Sequence, residues 1–330
     1  MKTKNLVIVI IAVIILIIGI YVYSTHSTND SEKVTLKVGY LPLTDHLPIM
    51  VADARHMFAD TNIELVKFTD WAALSEALAS GQIDGAHILN TLGIKMVTNG
   101  FKGQTVVLSH RGDIALVTKE EITEVQQLRG KTIAVPSHFS SHYFMLYHYL
   151  TENGFNVSTD IRLLDVAPPD FVSTMAAGGI DGFIGSEPFP ELAISKNIGK
   201  IFKNWDEMEI EGLNGLDCVV VFNQQMIDQH PEAVQDYVTT IIQAGQWIED
   251  NPKEAANITS PYMMNIAPAL LEDAKAISTY DNLYPKADEY SKLQDYMLSI
   301  GAIKSSINMT AFVNTKFADK AYKDLGLTIN

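Results

Sequence analysis

Cysteine is nearly absent from this 330-residue chain, which contains only Cys218. A single thiol excludes an intrachain disulfide and a zinc cluster built from cysteines. Positive charge is also scarce: 24 Lys and Arg residues face 39 Asp and Glu residues, which gives a net charge of −15. Such an excess repels a phosphate backbone and argues against nucleic-acid binding, and an anionic ligand would need local hydrogen-bond donors.

Motifs for catalysis are missing as well. The sequence has no Gly-rich phosphate loop, no Gly-x-Gly-x-x-Gly, no His-Glu-x-x-His helix and no nucleophile elbow. Carboxylates are numerous, but no spacing marks a catalytic pair. The sequence therefore predicts a protein that is not an enzyme, with no cofactor and no metal motif.

One long hydrophobic run is present, at the N-terminus. Lys2 and Lys4 precede an uncharged run at residues 6–23 that is dominated by isoleucine and valine. A spanning helix needs about 18 or more apolar residues, and no small-residue cleavage site ends the run, which favours an uncleaved anchor over a cleaved signal peptide. The lysines place the rest of the chain on the extracytoplasmic face of the cell membrane. Residues 1–23 are the predicted anchor, and residues 24–33 are a polar tether.

An internal repeat indicates the architecture. The repeat has an offset of 97 positions, and it superposes three pairs of segments: Ala79–Gly85 on Ala176–Gly182, Val34–Val38 on Lys131–Val135, and Ile63–Lys67 on Asp160–Leu164. Each copy alternates strands with amphipathic helices, a pattern typical of parallel α/β units, and Gly81 and Gly178 are predicted to end a helix in each copy. We predict an α/β protein of two lobes, with the ligand cleft between the carboxyl ends of their strands.

The predicted domain organisation follows this repeat. Lobe 1 begins with residues 34–116, lobe 2 takes residues 117–220, and residues 221–330 return to lobe 1 and continue as C-terminal helices. The crossover strand is expected near Ile114–Thr118 and the return strand over Asp217–Phe222.

Polar side chains cluster after the predicted strands, where the cleft should be. Five of the nine histidines follow such strands: His46, His87, His110, His138 and His142. Histidine can donate to an anion, bind a metal or act as a general base, and placement alone does not choose among these roles. The candidate ligand-binding residues are Thr44, Asp45, His46, His87, Asn90, His110, Arg111, Ser137, Phe139, Ser140, Ser141, His142 and Glu187.

Specific roles are predicted for four of these candidates. Ser140 and Ser141 precede a predicted helix whose free N–H groups suit an oxyanion, and simple N-capping is the alternative. Arg111 is the best candidate for a positive charge near the ligand, and a solvated loop arginine is the alternative. Glu187 either accepts a hydrogen bond from a ligand or a protonated histidine, or opens a helix together with Pro188.

Four stretches of the sequence carry a family resemblance. They are Val38–His46, Gly81–His87, Lys131–Pro136 and Ile180–Phe189, within a region of about Val34–Asn257. With them the chain resembles the nitrate, sulfonate, taurine and bicarbonate class of ABC-transporter solute-binding proteins. The loop Phe139–His142 is similar to the nitrate- and bicarbonate-binding branch. Leu89–Thr91 stands where nitrate-type members usually carry a tryptophan-containing loop.

The resemblance implies a type II periplasmic binding fold and capture of a small, anionic solute by closure of the lobes. It also implies an ABC permease and an ATPase as partners of a monomer that the N-terminal helix attaches to the membrane. Two alternatives stay open: a thiamin-pyrimidine-precursor binding protein or synthase-like enzyme on the same fold, and a sensor ectodomain. An exported anchor argues against the enzyme, and the short segment before the anchor argues against the sensor.

Overall fold

The computed structural model describes residues 33–329, so the predicted anchor and residues 24–32 of the predicted tether lie outside the described residues. Within residues 33–329, no helix is long and apolar enough to cross a membrane. Residues from Thr35 onward form one unit.

Strands and helices alternate along most of the described chain. The strands are β1 (Thr35–Tyr40), β2 (Asn62–Lys67), β3 (Gly85–Leu89), β4 (Gly103–Leu108), β5 (Arg111–Gly112), β6 (Ile114–Thr118), β7 (Thr132–Val135), β8 (Arg162–Asp165), β9 (Gly182–Ser186), β10 (Lys200–Asn204), β11 (Cys218–Asn223) and β12 (Ser278–Thr279). The α-helices are α1 (Leu47–Ala54), α2 (Trp71–Ala79), α3 (Asn90–Thr98), α4 (Ser141–Glu152), α5 (Phe171–Ala176), α6 (Phe189–Ser195), α7 (Gln224–Gln229), α8 (Pro231–Asp250), α9 (Pro252–Thr259), α10 (Pro268–Ala274), α11 (Ala287–Ser299), α12 (Met309–Phe312) and α13 (Lys316–Leu325).

Two five-stranded sheets build two lobes. The strand order is β2-β1-β3-β11-β4 in lobe 1 and β10-β6-β9-β7-β8 in lobe 2. In each sheet four strands run in the same direction and one strand runs antiparallel to its two neighbours: β11 between β3 and β4 in lobe 1, and β6 between β10 and β9 in lobe 2. The strand order also shows that the chain crosses between the lobes twice. The two-lobed α/β architecture that the repeat predicts is confirmed.

The second helix of each copy ends at a glycine, as the repeat predicts. Gly81 has a φ of +75° and Gly178 a φ of +77°. This left-handed conformation is unfavourable for residues with a Cβ atom, so glycine is the natural residue at both positions.

The two copies differ in the register of one strand. In lobe 1, Thr35 lies opposite Asn62. Thr132 occupies the equivalent position in lobe 2 but lies opposite Arg162, three residues beyond the equivalent of Asn62. Helix α4 has 12 residues where α1 has 8, which lengthens the connection before β8. The sequence alignment of the second copy is therefore shifted by three residues at this strand.

The C-terminal helices support the interlobe region from the side of lobe 1. Helix α8 starts with proline at its first position, which suits a helix N-terminus, and packs against α1 and α13. A Cβ atom on Gly245 of α8 would lie 2.2 Å from the carbonyl oxygen of Tyr280, so only glycine permits this approach. The Tyr280 hydroxyl in turn donates to the carbonyl of Thr44 (2.9 Å). Packing of α8 thus positions the first candidate loop.

Candidate functional site

Loops from the two lobes meet directly at the ends of their strands. Thr44 follows β1 of lobe 1, and its amide donates to the carbonyl of Glu187, which follows β9 of lobe 2 (3.0 Å). The hydroxyl of Ser186 donates to Asp45 Oδ2 (3.0 Å). The carboxyl ends of the parallel strands therefore oppose each other across a shared interface, as expected for this architecture.

A buried polar cluster, which we call the inner chamber, occupies this interface. No member is more than 7% exposed: Thr44, Asp45, His46, Asn90, His110, Asp113, Ser141, His142, Ser186, Glu187, Asp217 and Cys218. Eight of these residues belong to the candidate set predicted from the sequence. Buried polar groups at such density require partners within the protein or from a ligand.

The two serines at the start of α4 have different partners. The hydroxyl oxygen of Ser140 accepts from the amide of Tyr143 (3.0 Å), which makes Ser140 the N-cap. The hydroxyl of Ser141 donates to Asp217 Oδ1 across the interface between the lobes. Capping therefore accounts for Ser140, and Ser141 is the serine that contributes to the inner chamber.

Burial raises the pKa of three carboxyl groups of the chamber, and it raises the pKa of Asp45 well above its usual value. Burial raises the pKa of Asp113 to about 7 and the pKa of Glu187 to about 8. The hydroxyl of Thr44 lies 2.7 Å from Asp113 Oδ2 and 2.9 Å from the carbonyl oxygen of Glu187. At neutral pH Glu187 is therefore mostly protonated, and it can donate a hydrogen bond.

One charged pair remains in the chamber. Burial alone would lower the pKa of His110, but the carboxylates of Asp45 and Asp217 raise it above its usual value. Burial would likewise raise the pKa of Asp217, but His110 and the hydrogen bond from the hydroxyl of Ser141 lower it. His110 Nε2 lies 3.5 Å from Asp217 Oδ2. Burial lowers the pKa of His46 and His142, so both are neutral donors or acceptors.

His87 borders this chamber, with its ring centroid 5.2 Å from that of His46, and it lies within β3 rather than after it. Its Nδ1 is 2.6 Å from the hydroxyl of Ser109, and its Nε2 is 2.7 Å from the hydroxyl of Tyr237. Ser109 donates its own proton to the carbonyl of Asp45 (2.5 Å), so His87 Nδ1–H donates and Nε2 accepts from Tyr237. Burial lowers the pKa of His87 to about 3, so the ring is neutral. These bonds give His87 a structural role.

The guanidinium of Arg111 is directed to the C-terminal segment. Its Nη2 donates to Glu289 Oε2 (3.0 Å), its Nη1 to the carbonyl of Asn214 (2.9 Å) and its Nε to the carbonyl of Asn282 (3.1 Å). The structure thus does not bring this side chain together with the chamber residues, and no lysine or arginine is among the chamber residues.

Next to this buried cluster, a cavity of about 440 Å³ contains the other two candidates, Ser137 and Phe139. Trp71 and Lys95 of lobe 1 line the opposite side, so this outer cavity also lies between the lobes. The ammonium of Lys95 lies over the ring of Phe139, and burial lowers the pKa of Lys95 to about 8. Trp71 contacts His46 edge to face, with 5.8 Å between ring centroids. Trp71 therefore links the outer cavity to the chamber.

Sequence reasoning missed four chamber residues: Asp113, Ser186, Asp217 and Cys218. Asp113 lies at the crossover and has a φ of +83°. A positive φ is uncommon for residues other than glycine, so it could not be predicted from the sequence. Asp217 and Cys218 are the first two residues of the predicted return strand. Their position at the start of that strand could have indicated that they lie near the site. Among residues 33–329, Asp45, His110 and Cys218 form the group whose side-chain atoms are close enough to share a metal ion.

Comparisons with known proteins agree with this architecture. A sequence profile of the NMT1-like family matches residues 29–261. The nitrate/nitrite binding protein NrtA of Nostoc sp. strain PCC 7120 is 26% identical, over 76% of this chain and 62% of that protein. A zinc-bound ligand-binding component of an ABC-type import system from Staphylococcus aureus aligns with a TM-score of 0.80 and 22% identity, covering 88% of this chain and 99% of that one. The periplasmic nitrate-binding protein NrtA from Synechocystis PCC 6803 aligns with a TM-score of 0.78 and 18% identity, covering 89% of each.

These solved structures, at identities below 25%, share the two-lobed fold with this chain. The chain spans between 36% and 62% of the length of the first curated relatives that it matches. The family profile covers well over half of the chain and includes both lobes from β1 to α9. The chain belongs to the NMT1-like family.

Proposed function

We propose that this chain is the extracytoplasmic solute-binding subunit of an ABC importer, and that it binds a small anionic solute rather than catalysing a reaction. The observation that carries the proposal is the inner chamber, a buried polar site to which both lobes contribute residues. Ligand capture between two lobes that close by a hinge motion needs such a site. The partners in this proposal are an ABC permease and an ATPase, and residues 1–23 hold the monomer at the membrane.

The chamber can supply hydrogen-bond donors to an anion in spite of its carboxyl groups. Ser141 and His142 lie in the first turn of α4, a helix of 12 residues whose N-terminus carries free amide groups and the positive end of the helix dipole. Because the pKa of Glu187 is about 8, its carboxyl group is mostly protonated at neutral pH. It can therefore donate a hydrogen bond to an anion instead of repelling it. The carboxylates of Asp45 and Asp217 raise the pKa of His110 against the effect of burial, which favours its positively charged form. These groups support the proposal of an anionic solute.

The outer cavity supports a solute larger than a bare inorganic anion. Its walls include Trp71, Leu92 and Phe139, so an apolar or flat substituent would be partly buried there. An alkanesulfonate would place its anionic group towards the chamber and its carbon tail against these walls. The aromatic walls also suit a flat ring, which keeps a pyrimidine precursor of thiamin as the second candidate.

A thermal-shift panel on the full-length chain tests this proposal. The panel contains nitrate, bicarbonate, taurine, several alkanesulfonates and a formylated pyrimidine. A true solute at 100 times its Kd is expected to stabilise the chain by about 2.7 kcal/mol, because only the folded state binds it. Stabilisation by the pyrimidine alone would favour the second candidate, and the absence of any shift would contradict solute capture of these classes.

Replacement of Ser141 by leucine is expected to abolish the thermal shift given by the solute found in that panel. The larger side chain would meet Asp217 and keep the lobes from closing over the solute. Small-angle scattering should show an increased radius of gyration in the Ser141→Leu variant. Ser158→Leu is a matched control, because Ser158 lies on an exposed turn of lobe 2 away from the interface. An unchanged solute response in Ser141→Leu would remove this loop from the site.

A further inference from the structure

Three kinds of metal-binding side chain converge in the inner chamber. The carboxylate of Asp45, a ring nitrogen of His110 and the thiol of Cys218 each offer one atom within 4.8 Å of the other two. Asp45 Oδ2 lies 3.2 Å from Cys218 Sγ, and Asp45 Oδ1 lies 3.9 Å from His110 Nε2. All three residues are completely buried. They come from the turn after β1, the link between β4 and β5, and the first residue of β11.

Two polar atoms of this cluster make no hydrogen bond. These are Asp45 Oδ1 and His110 Nδ1. A buried polar atom without a partner costs about 1–3 kcal/mol, so two such atoms in one cluster are costly unless another atom bonds to them. The ring of His110 is held by one hydrogen bond, from Nε2 to the carbonyl of Gly112 (3.2 Å).

We propose that Asp45, His110 and Cys218 bind one Zn²⁺ ion. Zinc takes carboxylate, imidazole and thiolate ligands at about 2.0–2.3 Å in tetrahedral geometry, which places neighbouring donor atoms about 3.3–3.8 Å apart. The observed separations of 3.2 and 3.9 Å are already close to this spacing. Ca²⁺ and Mg²⁺ prefer oxygen ligands alone, so the thiol and imidazole select a transition metal.

Metal binding changes the protonation and the charge of the chamber. The S–H bond of Cys218 and the N–H bond at the coordinating nitrogen of His110 break, and the Zn–S and Zn–N bonds form. These protons, together with any proton on the Asp45 carboxyl, leave to solvent. Three protein ligands leave a fourth coordination position open, as in zinc sites that bind an exchangeable ligand. An anion can occupy that position, and this last step rests on the proposed function. The ion thus supplies the positive charge that no lysine or arginine of the chamber provides.

Cobalt titration of the untagged full-length chain, first freed of metal with a chelator, tests the zinc site. We expect one equivalent of Co²⁺ to bind with a thiolate-to-cobalt absorption band in the near ultraviolet, and Zn²⁺ to displace it. Because Zn²⁺ binding releases the thiol proton, calorimetry in buffers of different ionisation enthalpy should show proton release. No solute is present in these measurements, so their outcome is independent of the solute panel.

Variants distinguish Zn²⁺ binding at this buried site from Zn²⁺ binding to exposed side chains. Cys218→Ser and Cys218→Ala should both lose the thiolate band and bind Zn²⁺ at least about 100-fold more weakly, since even the outer partners of metal ligands are worth about 10- to 100-fold. Thermal unfolding of the metal-free variants establishes that they fold. His138→Asn is the matched control, because His138 and Asp165 form an exposed pair at the outer cavity that offers the competing site. Absence of the thiolate band in the native chain, retained affinity in both Cys218 variants, or loss of binding in His138→Asn would overturn the proposal.

Discussion

Replacement of Arg111 by methionine is expected to lower the free energy of unfolding by about 3–5 kcal/mol, as is typical when one partner of a buried ion pair is removed. Arg111 is 6% exposed, and its guanidinium joins the crossover segment to Glu289 of α11 and to backbone carbonyls of the C-terminal segment. Without it, the buried Glu289 carboxylate keeps only the amide of Asn214 as a side-chain partner (3.0 Å). Denaturant unfolding measures this loss.

The double variant Arg111→Met/Glu289→Met is the matched control for this effect. Replacing both members of the pair by apolar side chains removes the stranded charge, so the double variant should recover much of the stability that the single variant loses. The measurement also tests the role that the sequence predicts for Arg111. If the Arg111→Met variant has the same free energy of unfolding as the native chain but no longer binds the solute, Arg111 acts in solute binding.

Replacement of Glu187 by glutamine is expected to make the protein less sensitive to alkaline pH. The pKa of Glu187 is about 8 in the folded protein because of burial, against 4.5 for an exposed glutamate. A carboxyl whose folded pKa is raised contributes its full stability below pH 4.5 and loses it as the pH rises through 8. The native chain should therefore lose about 3–5 kcal/mol relative to Glu187→Gln across this window.

Melting of both chains between pH 4.5 and pH 9 measures this difference. Glutamine keeps an oxygen for the amide of Glu191, which donates to Glu187 Oε2 (3.0 Å), so the local geometry should persist. Glu64→Gln is the control, because Glu64 lies on the half-exposed surface of β2 beside Lys37. A pH dependence that is the same in the native chain and in Glu187→Gln would contradict a protonated, buried carboxyl.

The sequence predicted the lobes well because their signals are local and repeated. The same supersecondary unit occurs twice in the sequence. Each copy contains β-branched strands and a glycine that ends a helix, Gly81 in the first copy and Gly178 in the second. The predicted return strand at Asp217–Phe222 corresponds to the observed β11 (Cys218–Asn223), with each end shifted by one residue. The shifted register of β8 escaped prediction, because the length of the connection before it depends on where α4 stops.

Prediction of the chamber was less complete for a different reason. Loops after parallel strands share one edge of a sheet, so Thr44, Ser141 and Glu187 could be grouped by position alone. The direction in which each side chain points could not be predicted in this way. The side chains of His87 and Arg111 are directed to other partners than those of their neighbours in sequence. Both ring nitrogens of His87 form hydrogen bonds inside lobe 1, with Ser109 and Tyr237. The guanidinium of Arg111 donates to Glu289 of the C-terminal segment.

Local sequence patterns were enough to predict two similar α/β units that face each other with polar loops lining the gap, because strand and helix periodicities are properties of neighbouring residues. Which side chains meet in that gap depends on the folded chain. Asp45, His110 and Cys218 are far apart along the chain, and antiparallel insertion of β11 beside β3 and β4 brings them within bonding reach of one another. Burial then sets the charges of the chamber, since desolvation raises the pKa of Asp113 and Glu187 only once the two lobes exclude water.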